Sequence, residues 1–234
     1  MAWEKKGERW LVSLSVISGV LISFFDFLTT ETMTILIPMA LVLLVRQEEG
    51  RLGSWKENIP LLLRTMVAWG AAYVMTFGVK WTLASLILGE NKFVSAFSSA
   101  AVRFSGTEGE DNLPLLTQIP FAILANISTL FGGVIRVDFL HVVLGLMISI
   151  VVFGSVFYLF RGKYHKDITI LMLLLGLIPY IRYGVLNNHS YLHEFFTYRA
   201  QAVSILAVLA LLWYNTDKGL LPGRNKSTKK KKKR

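Results

Sequence analysis

The stretch IPLLLRTMVAWGAAYVMTFGVKWTLASL (59–86) decides the fold class, because it is almost entirely apolar and carries only two charged side chains, Arg64 and Lys80. A helix that crosses the hydrocarbon core of a bilayer needs about 20 mostly apolar residues. Unpaired backbone groups are too costly in lipid for an irregular chain, so the stretch is expected to be an α-helix. It is long enough to tilt or to protrude from the membrane.

Five further segments share this composition, and together they predict an all-α, polytopic integral membrane bundle of about six transmembrane helices. The predicted spans cover residues 10–25, 32–45, 59–86, 139–160, 168–186 and 195–214. The first two are short and form a tight hairpin around FDFLTTET (25–32). The chain is 53% hydrophobic and 17% charged, whereas soluble domains carry about 25% charged residues. Because the sequence has no cysteine, disulfide frameworks, thiolate zinc sites and Cys nucleophiles are excluded.

The charges of the short loops predict the orientation of the bundle. Basic residues dominate the N-terminus and the loops after spans two and four, and the other three connections are acidic or neutral. The positive-inside rule then places both termini in the cytoplasm of a multi-pass cell-membrane protein. The net charge is +10, and residues 224–234 hold two Arg and six Lys, so the basicity belongs to a topology anchor and not to a nucleic-acid surface. We expect a transmembrane domain at 1–216 and a basic, disordered cytoplasmic tail at 217–234.

The connection 87–138 is the one sizeable segment outside the predicted spans, and it lies on the outer face in this topology. FVSAFSSAAVRF (93–104) places three phenylalanines and Ala100 on one stripe, as an interfacial amphipathic helix would. SGTEGEDNLP (105–114) has the composition of an exposed loop. The apolar segment 115–131 is interrupted by Pro120 and Asn126. We interpret it as a helix in the outer interface or as a re-entrant segment, and a seventh and an eighth span stay open there only as a pair, since the flanking topology must be kept.

The predicted topology brings scattered polar residues to the outer face of the membrane. Ionisable groups in or near spans are costly in lipid, so a shared location indicates a polar, water-accessible pocket. The residues are Asp26, Glu31, Lys80, Trp81, Arg103, Arg182, Tyr183, Asn188, His189, His193, Glu194, Tyr198 and Arg199.

Each of the leading candidates has a structural and a functional interpretation. Lys80 beside Trp81 fits an interfacial anchor, with the ammonium reaching outward and the indole in the aromatic belt, and it also fits a phosphate-binding lysine. Asp26, flanked by phenylalanines, is either the cap of the helix that opens near Thr29 or Thr30, or a general base or metal ligand.

The pair His189 and His193 lies on one helical face, at a spacing that suits a metal ion. Two histidines without a third identified ligand are a weak metal signal, so substrate hydrogen bonding, proton transfer and a solvated turn stay open as alternatives. The cofactor is unknown and a divalent cation is left open. Arg199 follows two phenylalanines and precedes an apolar helix, so we expect it to pair with Asp26 or Glu31, or to clamp a substrate phosphate.

Three stretches resemble the C-terminal half of large polytopic bacterial envelope proteins similar to GT-C-type glycosyltransferases: FFDFLTTETMTILIP (24–38), AAYVMTFGVKWTLASLILGEN (71–91) and NHSYLHEFFTYR (188–199). The resemblance covers about residues 10–215, and the third stretch is its most specific element. Residues that match the shared pattern are Asp26, Thr29, Lys80, Trp81, Asn91, Arg103, Asn188, His189, His193, Tyr198 and Arg199.

The resemblance implies sugar transfer from a polyprenyl-phosphate donor on the extracytoplasmic side. Catalysis would then fall to Asp26, His189 and His193, and substrate binding to a second set: Lys80, Trp81, Arg103, Asn188, Tyr198 and Arg199. Such enzymes carry more spans, and their catalytic acid lies in an N-terminal half that this chain does not include. Either Asp26 or Glu31 takes that role, or the chain is one part of a split enzyme.

Two other classes of function compete with this hypothesis. A small transporter would need polar residues through the bilayer midplane, and spans four and six have almost none there. A non-enzymatic scaffold subunit would need a larger membrane partner. Across all three hypotheses the expected partners are membrane lipid, a lipid-linked sugar and a second membrane subunit, with no nucleic acid.

Overall fold

The computed structural model describes residues 2–25, 31–105, 115–132, 139–159 and 165–215, and within these ranges the chain is helical and forms no strand. The helices are α1 (Ala2–Phe24), α2 (Met33–Glu48), α3 (Trp55–Leu88), α4 (Lys92–Ser105), α5 (Leu115–Gly132), α6 (Phe139–Leu159), α7 (Lys166–Val185), α8 (Asn187–Leu192), α9 (Glu194–Thr197) and α10 (Ala202–Asn215), with a 3₁₀ turn at Tyr198–Gln201 before α10. The all-α prediction is confirmed. The loop predicted at 105–114 and the tail predicted at 217–234 lie almost wholly outside the described residues.

Four segments of the described chain are long and apolar enough to cross a membrane: Gly7–Phe24, Trp55–Leu88, Lys166–Val185 and Glu194–Asn215. They correspond to the first, third, fifth and sixth predicted spans. The second predicted span is α2, whose 16 residues make a helix of about 24 Å, shorter than a hydrocarbon core of about 30 Å. In the region of the fourth, the apolar stretch found is Val143–Val152. The count of six therefore stays a prediction.

Helix α3 begins and ends at clear sequence signals. Ser54 and Glu57 form a capping box at its start, which supplies partners for backbone N–H groups that the first turn leaves unpaired. Gly89 ends the helix in the left-handed conformation, with φ of 66°, which costs glycine little. The 34 residues span about 51 Å, and Thr65 is the last of them that is buried.

The apolar core joins α2, α7 and α10 with the first turns of α3. Met39, Leu43, Leu171, Met172 and Val203 are completely buried in it. Helix α7 approaches α10 closely at Gly176, whose backbone oxygen accepts a hydrogen bond from the Ser204 hydroxyl at 2.8 Å. Helix α1 instead packs along α3.

The bundle has two ends, which we call upper and lower. At the lower end the start of α3 meets its neighbours: Arg46 donates to Asn58 at 2.9 Å and to Glu8 at 3.0 Å, and the Trp55 backbone N–H donates to Asp167 at 2.9 Å. At the upper end the last residues of α1, α3 and α7 meet α4, α8 and α9. The described residues of the loops predicted to be cytoplasmic, those between α2 and α3 and His165, lie at the lower end, and the predicted substrate residues whose side chains are described lie at the upper end.

Candidate functional site

A buried ion pair joins the start of α2 to the end of α7 at the upper end. The Arg182 guanidinium donates through Nε to the Glu31 carboxylate, and both residues are more than nine-tenths buried. Among the described residues, nothing donates a hydrogen bond to the second carboxylate oxygen of Glu31. Ionisable groups at membrane depth are expensive and are kept where a bundle or a binding site uses them.

This pair corrects one prediction for Arg199. The sequence indicated no exposed location for that residue and offered Glu31 as one possible partner, but its side chain is exposed and Glu31 is bound by Arg182. The guanidinium of Arg199 instead lies over the ring of Phe196, 5.7 Å from its centroid. The physical reason is that Arg199 lies on the exposed side of the 3₁₀ turn before α10, whose buried side is formed by Ala200 and Gln201. The other suggested partner, Asp26, lies outside the described residues.

Asn126 of α5 is the centre of a buried polar cluster that sequence reasoning noticed only as an interruption. Its amide nitrogen donates to the backbone oxygen of Ser190 at 2.9 Å, and its side-chain oxygen accepts from the Thr197 hydroxyl at 2.7 Å. Its backbone oxygen accepts from Gln201 at 2.7 Å. One residue thus ties α5 to α8, to α9 and to the 3₁₀ turn. The full cluster consists of Gln118, Asn126, Asn188, Ser190, Thr197 and Gln201.

Asn188, predicted to bind substrate, is used by the protein itself. Its side-chain oxygen accepts from Gln118 of α5 at 3.1 Å, and its amide nitrogen donates to the backbone oxygen of Val102 in α4 at 3.0 Å. The side chain is buried. Asn188 therefore holds α4, α5 and α8 together.

Lys80 also has an internal role. Its ammonium donates to the backbone oxygens of Ser23 at 3.1 Å and Phe24 at 3.4 Å, and it lies 5.2 Å from the ring centroid of Phe77. The last carbonyls of a helix have no partner within the helix, and a lysine near them satisfies both their hydrogen bonds and the helix dipole. Trp81 beside it contacts Phe93 and Phe97, with 5.8 Å between the ring centroids in each case. These contacts favour a structural role in which Lys80 anchors α3 to the end of α1, although the ammonium binds backbone oxygens there and does not follow the predicted outward course.

Replacing Lys80 by methionine is expected to lower the free energy of unfolding by about 1 kcal/mol, because the last carbonyls of α1 lose a charged donor. Lys56→Met is the matched control, since the ammonium of that exposed lysine lies over Trp55 at 5.6 Å. Equilibrium unfolding in mixed micelles measures both. A Lys80→Met protein as stable as the control would contradict the anchor role.

The two histidines lie together and connect through rings to Arg199. The centroids of His189 and His193 are 4.8 Å apart, and His193 lies 6.0 Å from Phe195. Phe195 in turn lies 4.3 Å from Phe196, over which Arg199 stacks. We call these five residues the ring series. Its Arg199 end is exposed and its histidines are partly exposed, as is the predicted substrate residue Tyr198.

The predicted base, the predicted substrate residue Arg103 and the possible metal site are only partly covered by the described residues. Asp26, the predicted base, lies outside the described residues, as do Thr29 and Thr30. Arg103 belongs to α4, but its side chain is outside the described set. Within the described part of the chain, no group of three His, Asp or Glu residues is placed to hold a metal ion.

Two cavities lie at the lower end, away from the ring series. One, of about 420 Å³, is lined by the α2–α3 loop and by His165, Lys166 and Asp167. The other, of about 290 Å³, lies between α1 and α2 beside Arg46. Neither contains a residue predicted to bind substrate.

The chain matches no protein-family model, no curated protein and no solved structure. The resemblance to sugar transferases therefore rests on the sequence stretches alone.

Proposed function

We propose that the chain is an envelope membrane protein that binds a polyprenyl-phosphate-linked sugar at its upper end, as a lipid-linked-sugar glycosyltransferase or as the C-terminal half of one. In this proposal the chain crosses the cell membrane six times, both termini are cytoplasmic and the upper end is extracytoplasmic. Four long apolar helices support the membrane location.

The observation that carries the proposal is the exposed guanidinium at the end of the ring series. Arg199 combines a fixed charge with donors that match a phosphate, and it is exposed on the aromatic face of Phe196. The neighbouring rings offer flat surfaces to a sugar or to an isoprenoid chain. Lys80 and Asn188 leave the substrate-binding set, because their described hydrogen bonds go to the protein's own backbone and side chains.

In the proposed sugar transfer, Arg199, Asp26 and the two histidines each have a separate role. The acceptor hydroxyl attacks the anomeric carbon of the sugar, the bond from that carbon to the phosphate oxygen breaks, and polyprenyl phosphate leaves. Arg199 stabilises the charge that develops on the departing phosphate. Asp26 takes the proton of the acceptor hydroxyl, and His189 or His193 orients the reacting groups.

Arg199→Ala is expected to weaken the binding of polyprenyl phosphate about tenfold, because a charge-assisted hydrogen bond contributes about 1.5–3 kcal/mol. The measurement is a titration of the purified protein in nanodiscs with polyprenyl phosphate, and polyprenol without the phosphate is the ligand control. Arg64→Ala is the protein control, since Arg64 is an exposed arginine of α3.

If both variants bind polyprenyl phosphate as tightly as the original protein, the phosphate does not bind at Arg199 and the assignment fails. Asp26→Asn separates binding from chemistry, because a general base contributes to transfer and not to phosphate affinity. Loss of transfer with retained binding is the result expected for that variant.

A scaffold subunit is the second candidate, and the same contacts favour it. Lys80 and Asn188 serve the packing of the bundle, and α3 has no buried residue after Thr65. Wild-type protein that binds no polyprenyl phosphate in the titration, yet purifies with a larger membrane chain encoded nearby, would support this candidate over the enzyme.

A further inference from the structure

Helix α4 crosses the upper end of the bundle as a link between α3 and α8. Asn91 caps its start by accepting from the Phe93 N–H at 3.1 Å, and the Lys92 N–H donates to the Ser85 hydroxyl of α3 at 3.0 Å. Towards its other end, the backbone oxygen of Val102 accepts from Asn188. The helix is thus tied to its neighbours on both sides.

The two faces of α4 differ in chemistry, and Phe93 and Phe97 of the predicted stripe both contact Trp81 of α3. Phe93 is only partly exposed and packs edge-on against Trp81. Val94 is 67% exposed, and Phe97 is 64% exposed although its ring also contacts Trp81, so the described part of the protein leaves an apolar surface of α4 uncovered. Ser95 and Ser99, on the opposite side at 100° per residue, are exposed as well.

The residues of α3 that α4 contacts indicate the depth of α4 relative to the membrane. Trp81 contacts both Phe93 and Phe97, and Lys80 binds the last carbonyls of α1. An indole and an ammonium at the end of apolar helices are the side chains of the membrane–water interface. The apolar face of α4 therefore begins at the level where acyl chains meet headgroups.

The last turns of α3 continue the same exposed apolar surface. Leu86 and Ile87 are 75% and 79% exposed, and α3 extends about 12 Å beyond Lys80. Tilted by about 35°, the whole of α3, about 51 Å long, fits within the roughly 40–45 Å thickness of a bilayer with its interfaces. The acyl chains of one leaflet can then cover the exposed apolar surfaces of both α4 and the last turns of α3.

We propose that α4 is a membrane-surface strap: its Val94 and Phe97 face lies among the lipid acyl chains, and its bond to Asn188 holds the His189–His193 turn at headgroup level. The lipid contact follows from α4 and its neighbours alone. The consequence for substrate rests on the proposed function, since headgroup level is where the phosphate of a lipid substrate lies.

The absence of cysteine from the sequence permits a direct depth measurement. Phe97→Cys and the matched control Ser99→Cys are each labelled with an environment-sensitive nitrobenzoxadiazole probe in vesicles of phosphatidylcholine and phosphatidylglycerol. We expect the probe at position 97 to be quenched several-fold more by a lipid with a shallow nitroxide, and the probe at position 99 several-fold more by aqueous iodide.

Equal iodide quenching at the two positions would overturn the proposal, and so would cross-linking of Phe97→Cys to a second copy at high dilution in lipid. A second variant, Val94→Cys, repeats the test without removing a ring from the Trp81 contact. The effect of α4 on substrate binding is tested separately. Phe97→Ser is expected to weaken polyprenyl phosphate binding several-fold, and Ser99→Ala is expected to leave it unchanged. If the original protein binds no polyprenyl phosphate, the proposed function fails while the depth result stands.

Discussion

Replacing Arg182 by methionine is expected to lower the free energy of unfolding by about 3–5 kcal/mol, the largest effect of any single substitution considered for this protein. The substitution leaves the Glu31 carboxylate buried without its cation, and an uncompensated buried charge is far more costly than a lost surface pair. The measurement is reversible unfolding in mixed micelles, followed by helix signal.

The lower end supplies the matched control. Glu8 and Arg46 form a pair at 3.0 Å, but their side chains are 33% and 19% exposed. Glu8→Gln should therefore cost no more than about 1 kcal/mol. The double variant Glu31→Leu with Arg182→Met is expected to regain most of the lost stability, because neither charge is then left alone. A single Arg182→Met variant that costs no more than Glu8→Gln would show that the pair is not buried as described.

The position of this pair connects stability with the proposed function. Glu31 lies just before α2, five positions after the hairpin residue Asp26, and Arg182 lies seven positions before His189. The ion pair therefore holds Glu31 against α7, which leads to the histidines of the proposed reaction. A variant that weakens the ion pair is expected to lower polyprenyl phosphate binding or sugar transfer even where the protein still folds.

Helix positions were predictable from the sequence, because hydropathy and helix length are local properties. The span predicted at 59–86 is α3, and the span predicted at 168–186 is α7. The structure extends α3 back to Trp55 because a capping box, and not hydropathy, sets its start. Helix α1 similarly begins at Ala2, before its apolar stretch.

Side-chain partners were not predictable, because they join residues far apart in the chain. The sequence marked Glu31, Arg182 and Arg199 as unusual charges but could not say which of them meet. Glu31 and Arg182 are 151 positions apart, and only the packing of α2 against α7 brings them together. Lys80 shows the same limit: the sequence left an interfacial anchor and a phosphate-binding lysine open, and neither pointed to the carbonyls of α1 as its partners.

Asn126 was marked by one usable signal, a lone amide in an apolar segment. A polar residue that is buried in a membrane helix bundle usually hydrogen-bonds to another helix. The signal predicts that the Asn126 amide has a partner but not that it has two on different segments, Ser190 of α8 and Thr197 of α9. Those bonds make Asn126 the second position at which a large effect is expected.

Asn126→Leu is expected to lower the free energy of unfolding by about 2 kcal/mol. Leucine has a similar size, so the change removes the amide without opening a large cavity. The Ser190 oxygen loses its donor at 2.9 Å, and the Thr197 hydroxyl keeps only weaker acceptors, at 3.1 Å and 3.5 Å. A hydrogen bond between membrane helices averages about 0.6 kcal/mol, and a buried group left unsatisfied costs about 1–3 kcal/mol.

Thr65→Val separates this effect from the general cost of removing a buried polar group. The Thr65 side chain is fully buried, and its hydroxyl donates at 2.8 Å to Leu61 within the same helix. Valine keeps the shape, and the Leu61 oxygen already accepts from the helix backbone, so the expected cost is below about 1 kcal/mol. Unfolding midpoints for the two variants in one micelle composition give the comparison. Equal losses would mean that Asn126 does not join the helices, because of the two side chains only that of Asn126 hydrogen-bonds to other segments of the chain.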